Sequence, residues 1–199
     1  MTLRRKINKN KQGSITDSSD MWLAQGVDLT ARRIDLLEEI NAQSCGIAIR
    51  AIRCMVAEDD TSPIHIYINT QGGVVYDGFA LYDVMRECPA PIYTYAQGRV
   101  MSMGTIIFLG GDVRHAGHHT SFMWHSIAGG QEGKLFELVD YVKETNRLWE
   151  CMLQVYASRA REKLGWWRRW LKHQDRYGDI NKAVELGFVH FIIDPKKED

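Results

Sequence analysis

The feature that most constrains the fold of this sequence is an alternation between short β-branched or aromatic runs and segments with helical periodicity. Residues 64–68 and 92–96 have the composition of buried strands, and residues 47–56 and 75–85 carry apolar side chains at helical spacing. The same patterns predict further strands at 34–37, 121–124 and 189–193 and further helices at 102–109 and 180–186. Alternation of this kind predicts an α/β domain with a largely parallel sheet.

One domain accounts for most of the 199 residues, because single domains usually contain about 50–250 residues. Residues 1–20 differ from the rest, since a basic cluster is followed there by a polar stretch. Little in this segment can be buried, so we predict a mobile basic and polar arm at 1–20 and a single folded domain at 21–199. A nucleic-acid-binding arm is the minority alternative for the basic cluster.

The charge balance argues against several classes of function. The chain has 25 Lys and Arg against 25 Asp and Glu, so no overall field attracts nucleic acid or an anionic membrane. No apolar run approaches the ~18 residues that span a bilayer, and the N-terminus lacks the apolar stretch of a secretory signal. The four cysteines lack the spacing of a zinc site or a disulfide framework, which favours a reducing, cytoplasmic location.

A long amphipathic helix is predicted between residues 134 and 164, a stretch without glycine or proline. Its apolar residues recur every three or four positions, and Gly165 supplies the expected end. At about 1.5 Å per residue such a helix would be roughly 45 Å long, about the width of a domain of this size. Part of the helix should therefore project and pack on another copy of the chain, which predicts an oligomer.

Two glycine-containing loops follow predicted strands and are the best candidates for chemistry. Gly72 and Gly73 could bring bare backbone N–H groups to a substrate, although paired glycines after a strand often form only a turn. The loop at 98–104 places Ser102 at a strand-to-helix junction, where the free N–H groups of a helix start favour an anion. Ser102 could be a nucleophile or the cap of that helix, and the local sequence leaves both open.

A nucleophilic serine needs a general base and a group that orients the base. His125 falls at the end of a predicted strand, whereas His65 lies inside one and is better explained as a packed or solvent-facing strand residue. Two carboxylates compete for the orienting role. Asp179 precedes a short helix and is best explained as its N-cap, while Asp175 has no comparable structural task.

Two further clusters each have a functional and a structural interpretation. His115, His118 and His119 could bind a metal, but no carboxylate or cysteine completes a site, so a solvated loop is favoured. Residues 166–170 contain three tryptophans and two arginines and could stack on bases or lie on a membrane. Packing of the rings against the sheet or a neighbouring subunit, with the arginines in ion pairs, is the favoured interpretation.

Five motifs occur in an order that matches one known family. In chain order they read N-T-Q-G-G at 69–73, A-L-Y-D at 80–83, M-S-M-G at 101–104, His125, and D-R-Y at 175–177. Together they resemble the ClpP family of serine peptidases over roughly residues 30–194, and the ordered set is far more specific than any single piece. The resemblance implies a ClpP/crotonase-like α/β fold of repeated β-β-α units, with the long helix as a projecting handle.

Carried over to this sequence, the resemblance implies that Ser102 is the nucleophile, His125 the general base and acid, and Asp175 the orienting carboxylate. The backbone N–H groups of Gly73 and Met103 would form the oxyanion hole, and no metal or organic cofactor is required. The implied activity is cleavage of unfolded proteins or peptides inside a homo-oligomeric chamber of two stacked seven-membered rings. An AAA+ unfoldase would thread the polypeptide substrates in, and no nucleic-acid or membrane partner is implied.

Departures from the family pattern bear on regulation. Glu87 stands where the family usually has an apolar residue lining the unfoldase-docking pocket, whereas Tyr67 keeps an aromatic ring, and the arm at 1–20 does not resemble the family's axial loop. These departures argue against standard unfoldase docking and indicate a divergent member, of bacterial or viral origin. The alternatives are an inactive or capsid- and scaffold-processing subunit, a crotonase-type acyl-CoA enzyme, and a basic-arm nucleic-acid binder.

Overall fold

The computed structural model describes residues 22–194, so the predicted arm at 1–20 lies outside the described residues. The described chain forms one eight-stranded sheet and six helices. The strands are β1 (Val27–Asp28), β2 (Arg33–Leu36), β3 (Ile64–Thr70), β4 (Ile92–Met101), β5 (Val113–Gly117), β6 (Ser121–Trp124), β7 (Arg176–Gly178) and β8 (Phe191–Ile193). The helices are α1 (Ala42–Glu58), α2 (Val75–Glu87), α3 (Met103–Leu109), α4 (Leu135–Arg159), α5 (Leu164–Trp170) and α6 (Ile180–Glu185).

The sheet is mostly parallel, which confirms the α/β class predicted from the alternation. Its main path runs β1-β2-β3-β4-β5-β8, while β6 pairs with β4 and β7 pairs with β6. Only the β1–β2 and β6–β7 pairs are antiparallel among the described strands. The carboxyl ends of β3, β4 and β6 therefore point the same way, and the loops that follow these three strands meet at one edge of the sheet.

The two faces of the sheet differ because side chains alternate along each strand. In β3, Ile64, Ile66 and Ile68 are fully buried beneath the helices, whereas His65 and Tyr67 lie on the open face. Aromatic rings continue across that open face: Tyr67 stacks on Tyr95 of β4 at 4.5 Å between ring centroids, and Tyr95 stacks on His115 of β5 at 4.7 Å. The rings shield the otherwise open side of the central strands.

Strand β4 changes its partner halfway along, and this change positions the candidate site. Its first half, Tyr93 to Ala96, pairs with β5, and its second half, Arg99 to Met101, pairs with β6. Gly98 separates the halves at a φ of 67°, where a side chain would be strained, and the N–H of Arg99 donates to Asn69 Oδ1 at 3.2 Å. The bend lets β6 run beside the end of β4, so the residues after these two strands come together.

The predicted handle helix is present as α4 and its first half is mostly exposed, but it ends earlier than the sequence indicated. The helix stops at Arg159 rather than near Gly165, and residues 164–170 form the separate helix α5. The reason is tertiary, because the N–H of Arg161 donates to the carbonyl of Leu186 at 2.9 Å and pulls the chain out of the helix. The first half of α4 exposes apolar side chains to solvent, namely Leu135, Phe136, Val139 and Val142.

The tryptophan cluster packs into the domain, as the favoured interpretation predicted. Trp167 in α5 is fully buried and its ring lies 4.9 Å from that of Tyr156, while Arg168 forms an ion pair with Glu150 at 2.6 Å. Trp166 and Trp170 pack at the edge of the same core. No helix between residues 22 and 194 is both long and apolar enough to cross a bilayer.

The histidine cluster departs from the predicted solvated loop, because His115 lies inside β5. No strand is predicted there because V-R-H-A-G places two polar residues, the buried Arg114 and the half-buried His115, within the run. His118 and His119 are exposed in the following turn, as expected for a loop. Within residues 22–194, no group of three His, Cys, Asp or Glu side chains is arranged to hold a metal ion.

Three histidines that lose part of their hydration in the fold make its stability dependent on pH. Burial lowers the pKa of His115, and also of His65 and His190, so the unfolded chain binds these protons more readily than the folded chain. The free energy of unfolding should be fully retained above about pH 6.5 and should fall as pH drops below that value. We expect the urea concentration at the unfolding midpoint to decrease when the pH is lowered from 7.5 to 5.5. The decrease should be smaller in His115→Phe, which keeps the ring stack. An equal fall in His115→Phe and in the exposed control His119→Gln would contradict this assignment.

Candidate functional site

Ser102 lies at the sharp junction between β4 and α3, in a strained backbone conformation. Its φ is 52° and its ψ is −125°, a region that costs a non-glycine residue of order 1–3 kcal/mol. The hydroxyl makes no capping bond to the helix, although the residue occupies the N-cap position. This geometry points the Ser102 side chain away from the helix start. The sequence left open whether Ser102 is a nucleophile or a helix cap, and its side chain does not act as a cap.

The Ser102 hydroxyl contacts His125 instead. The distance from Ser102 Oγ to His125 Nε2 is 2.7 Å, which is a good hydrogen bond. His125 directly follows β6, and β6 pairs with β4 in a register that sets Met101 beside Met123. The N–H of Ser102 also donates to the carbonyl of Met123 at 2.9 Å, which ties the two strand ends together. The parallel pairing of β4 and β6 is therefore what brings these two side chains into contact.

The glycine loop after β3 lies directly against Ser102. Gly72 has a φ of +104°, and a Cβ atom there would come within 2.6 Å of Ser102 Cβ and within 2.9 Å of the carbonyl oxygen of Met101. No residue with a side chain fits this position without moving the serine. Gly73 also has a positive φ, of 150°, and a Cβ there would run into the carbonyl of Ile40. Both positions therefore require glycine because neighbouring atoms lie too close for a side chain, and not only because of the turn.

Two backbone N–H groups are available beside the serine. Ile40 bonds to the residues on either side of Gly73, through the carbonyl of Gly72 at 2.9 Å and the N–H of Val74 at 2.7 Å. In a parallel bridge of this kind the N–H of Gly73 itself faces away from Ile40. Met103 is the first residue of α3, so its N–H has no partner in the helix. Neither N–H makes a hydrogen bond to any of the residues 22–194.

A small cavity of ≈ 50 Å³ adjoins the Ser102 hydroxyl and the His125 imidazole. Its walls are polar and apolar in about equal share, and the apolar part includes Val75 in α2, Ile127 in the loop after β6 and Met152 in α4. The sequence patterns identified Val75 and Met152 only as members of helical apolar stripes. Their position beside the serine depends on how α2 and α4 cross the sheet, for which the sequence carried no signal.

Asp175 lies close to His125 in the sheet register but does not contact it. Antiparallel pairing of β6 and β7 sets Trp124 opposite Arg176, so His125 and Asp175 form the next opposed pair beyond the strand ends. The Asp175 side chain is exposed, and within residues 22–194 no hydrogen bond joins it to the imidazole. Asp179 has the other role predicted for it, because its carboxylate caps α6 by accepting from the N–H of Lys182 at 3.0 Å. That bond lowers the pKa of Asp179.

The two residues expected at a docking pocket lie on different surfaces of the single chain. Glu87 borders a groove between α1 and α2 whose other walls include Val56 and Val84. Tyr67 borders a separate cleft on the open face of the sheet, near Arg33 and Gln97. The described chain alone does not bring Glu87 and Tyr67 together.

The fold and the arrangement at the strand ends define a ClpP-like α/β protein. The chain belongs to the Clp protease family, because the family model described as Clp protease matches residues 20–196. Three similar curated proteins are each named ATP-dependent Clp protease proteolytic subunit. The protein from Pleurastrum terricola is 31% identical over 163 residues, which are 81% of this chain and 83% of that protein. The protein from Illicium oligandrum is 30% identical over 177 residues (87% and 79%), and that from Platanus occidentalis is 29% identical over 166 residues (82% and 80%).

Proposed function

We propose that this chain is a serine endopeptidase that cleaves unfolded proteins or peptides inside an oligomeric ring chamber. The observation that carries the proposal is the 2.7 Å hydrogen bond between Ser102 Oγ and His125 Nε2. A serine hydroxyl becomes a useful nucleophile when an imidazole can accept its proton as it attacks. The names of the similar Clp protease subunits support peptide bonds as the substrate class.

In the proposed mechanism, Ser102 Oγ attacks the carbonyl carbon of the peptide bond while His125 Nε2 takes the hydroxyl proton. The N–H groups of Gly73 and Met103 donate to the oxygen that becomes negative, and each such donor is typically worth about 10²–10³ in rate. His125 then gives the proton to the leaving amine, and an ester forms on Ser102. Water, activated by the same imidazole, hydrolyses that ester and restores the serine.

Asp175 is the proposed orienting carboxylate for His125. The register of β6 and β7 supports this role, because it sets Asp175 opposite His125 at the end of the strand pair. The side chain is exposed and makes no hydrogen bond to the imidazole here, so the proposed role requires the carboxylate to move toward Nδ1.

Assembly into stacked rings is proposed from the exposed apolar stripe of the handle helix. Phe136 is 80% exposed and Leu135 is 70% exposed, which is unfavourable for a helix that remains in water. We expect Phe136→Asp to disrupt assembly, since burying the new charge against a partner is costly. Sedimentation velocity should show smaller species for Phe136→Asp and no change for Asn146→Asp, an exposed polar position on the same helix. Full-size assembly of Phe136→Asp would contradict the role of this stripe.

An AAA+ unfoldase is the proposed source of unfolded substrate, as the word ATP-dependent in the names of the relatives suggests for them. The acidic Glu87 supports a docking mode that differs from the apolar one usual in the family. A cytoplasmic location, in a bacterium or a virus-infected cell, is also proposed. The wide spacing of the four cysteines supports it.

Hydrolysis of a short fluorogenic peptide without ATP tests the proposed activity. A short peptide should reach the chamber without an unfoldase, so the assembled chain should release the fluorophore on its own. A ring-sized assembly is required for this test, so sizing should accompany the assay. Lack of cleavage by an assembled ring would contradict the proposal.

A non-catalytic subunit of the same fold is the second candidate function. One observation favours it, namely that Asp175 is exposed and does not contact His125. A subunit of this kind would still assemble and bind polypeptide but would not form an ester on Ser102. The peptide assay separates the two candidates.

A further inference from the structure

Two buried hydroxyl groups form a chain that ends on the backbone of Ser102. Thr105 Oγ1 donates to the carbonyl oxygen of Ser102 at 2.6 Å. Tyr156 Oη lies 2.8 Å from Thr105 Oγ1. Because the Thr105 hydroxyl has a single proton and uses it on Ser102, Tyr156 is the donor in the second bond. The order is therefore Tyr156 to Thr105 to Ser102.

Both hydroxyl groups are completely removed from solvent. Thr105 and Tyr156 are each 0% exposed, and the Tyr156 ring packs against those of Trp167 and Phe188. Burial raises the pKa of Tyr156, so the phenol keeps the proton that it donates. A buried hydroxyl without a partner destabilises the fold, so these two groups depend on each other.

The chain of hydroxyl groups acts where the backbone is strained. Two backbone hydrogen bonds hold Ser102. Its N–H donates to the carbonyl of Met123 at 2.9 Å, and its carbonyl accepts from the N–H of Thr105 at 3.0 Å. The Thr105 hydroxyl adds a third bond, to the same carbonyl oxygen. A residue at a φ of 52° keeps that conformation only when its surroundings fix it more firmly than an ordinary turn would.

We propose that Thr105 and Tyr156 are positioning residues that hold the strained Ser102 backbone so that its hydroxyl stays aimed at His125. This inference rests on the proposed function, in which Ser102 is the nucleophile. Neither residue would touch substrate. Tyr156 belongs to the handle helix. Two hydrogen bonds therefore link the position of that helix to the orientation of the Ser102 hydroxyl.

The rate at which Ser102 reacts with a fluorophosphonate reports directly on the orientation of its hydroxyl toward His125. We expect Thr105→Val, which keeps the shape and removes the hydroxyl, to slow this reaction and the kcat for a short peptide by about tenfold, with KM changed less than about twofold. Thr105→Ser restores the hydroxyl and should recover most of the rate. Tyr156→Phe should lose less, about threefold, because Thr105 still reaches the Ser102 carbonyl.

Thr94→Val is the matched control for loss of a buried threonine hydroxyl. Thr94 is also 0% exposed, and its Oγ1 donates to the carbonyl of Phe108 at 3.0 Å, at the other end of the same helix α3. We expect this variant to lose stability in urea but to react with the fluorophosphonate at the wild-type rate. Equal rates for Thr94→Val and Thr105→Val at the same folded fraction would overturn the inference.

The double variant Thr105→Val/Tyr156→Phe separates positioning from stability. Removing both hydroxyl groups leaves no buried hydroxyl unpaired, so stability should rise above that of Thr105→Val alone. The reaction at Ser102 should remain slow, because the bond from the Thr105 hydroxyl to the Ser102 carbonyl is still missing. Recovery of rate together with stability would show a merely structural role. A wild-type protein that does not react at Ser102 would instead overturn the proposed function, and this inference with it.

Discussion

Replacement of Ser102 by alanine is expected to lower peptide hydrolysis by about 10⁴-fold or more, because no other group can form the ester intermediate. The Ser102 hydroxyl is the one bonded to His125 Nε2 at 2.7 Å, and the remaining N–H donors can only stabilise charge on a substrate that nothing attacks. Initial rates with a short fluorogenic peptide check this result.

Ser121→Ala is the matched control for that replacement. Ser121 is the first residue of β6, the strand that His125 directly follows, and its side chain is exposed. The control variant should hydrolyse the peptide at the wild-type rate. Retention of activity in Ser102→Ala, with assembly unchanged, would mean that hydrolysis does not depend on this serine.

Gly72→Ala has the second largest expected effect, a loss of more than about 10² in the rate of hydrolysis. The added Cβ would come within 2.6 Å of Ser102 Cβ and within 3.1 Å of the nitrogen of Met103, so it would displace both the nucleophile and a proposed oxyanion donor. The positive φ of Gly72, +104°, adds strain for any residue with a side chain. Peptide hydrolysis and urea denaturation, measured together, separate the displacement from general unfolding.

Gly130→Ala tests whether that loss is specific to the glycine beside the serine. Gly130 lies in the glycine-rich loop after His125, and a Cβ there would meet no atom within 4 Å. We expect near wild-type activity and stability for this variant. Similar losses in both variants would mean that loop flexibility, rather than close approach to Ser102, explains the need for glycine.

Much of the fold could be predicted because its central strands and helices have clear periodicity. The buried isoleucines of β3 and the apolar spacing of α2 mark those elements without reference to the rest of the chain. The strand β5 could not be found in this way, because its buried Arg114 is a residue usually kept in water. The Arg114 guanidinium is satisfied by backbone carbonyls from distant segments, including those of Phe188 at 2.6 Å and Gly187 at 3.0 Å. The sequence pattern around Arg114 does not reveal these distant carbonyl partners.

The candidate site shows the same division between local and distant causes. The order of the glycine loop, Ser102 and His125 along the chain was enough to predict that they belong together. Their contact, however, depends on the change of partner in β4 at Gly98, which no local pattern indicates. The early end of α4 has a similar cause, since the carbonyl of Leu186 draws Arg161 out of the helical path. Thr105 and Tyr156 are 51 positions apart in the sequence, and only the packing of α4 on α3 joins them.

Intact-protein mass spectrometry after incubation with a fluorophosphonate tests the central claim most directly. An activated serine forms a covalent bond to phosphorus and releases fluoride, whereas an ordinary surface serine does not react at a comparable rate. We predict one adduct per chain, mapped by peptide sequencing to Ser102 and absent from Ser102→Ala. An assembled protein that gains no adduct, or that carries the adduct on a different serine, would contradict the account.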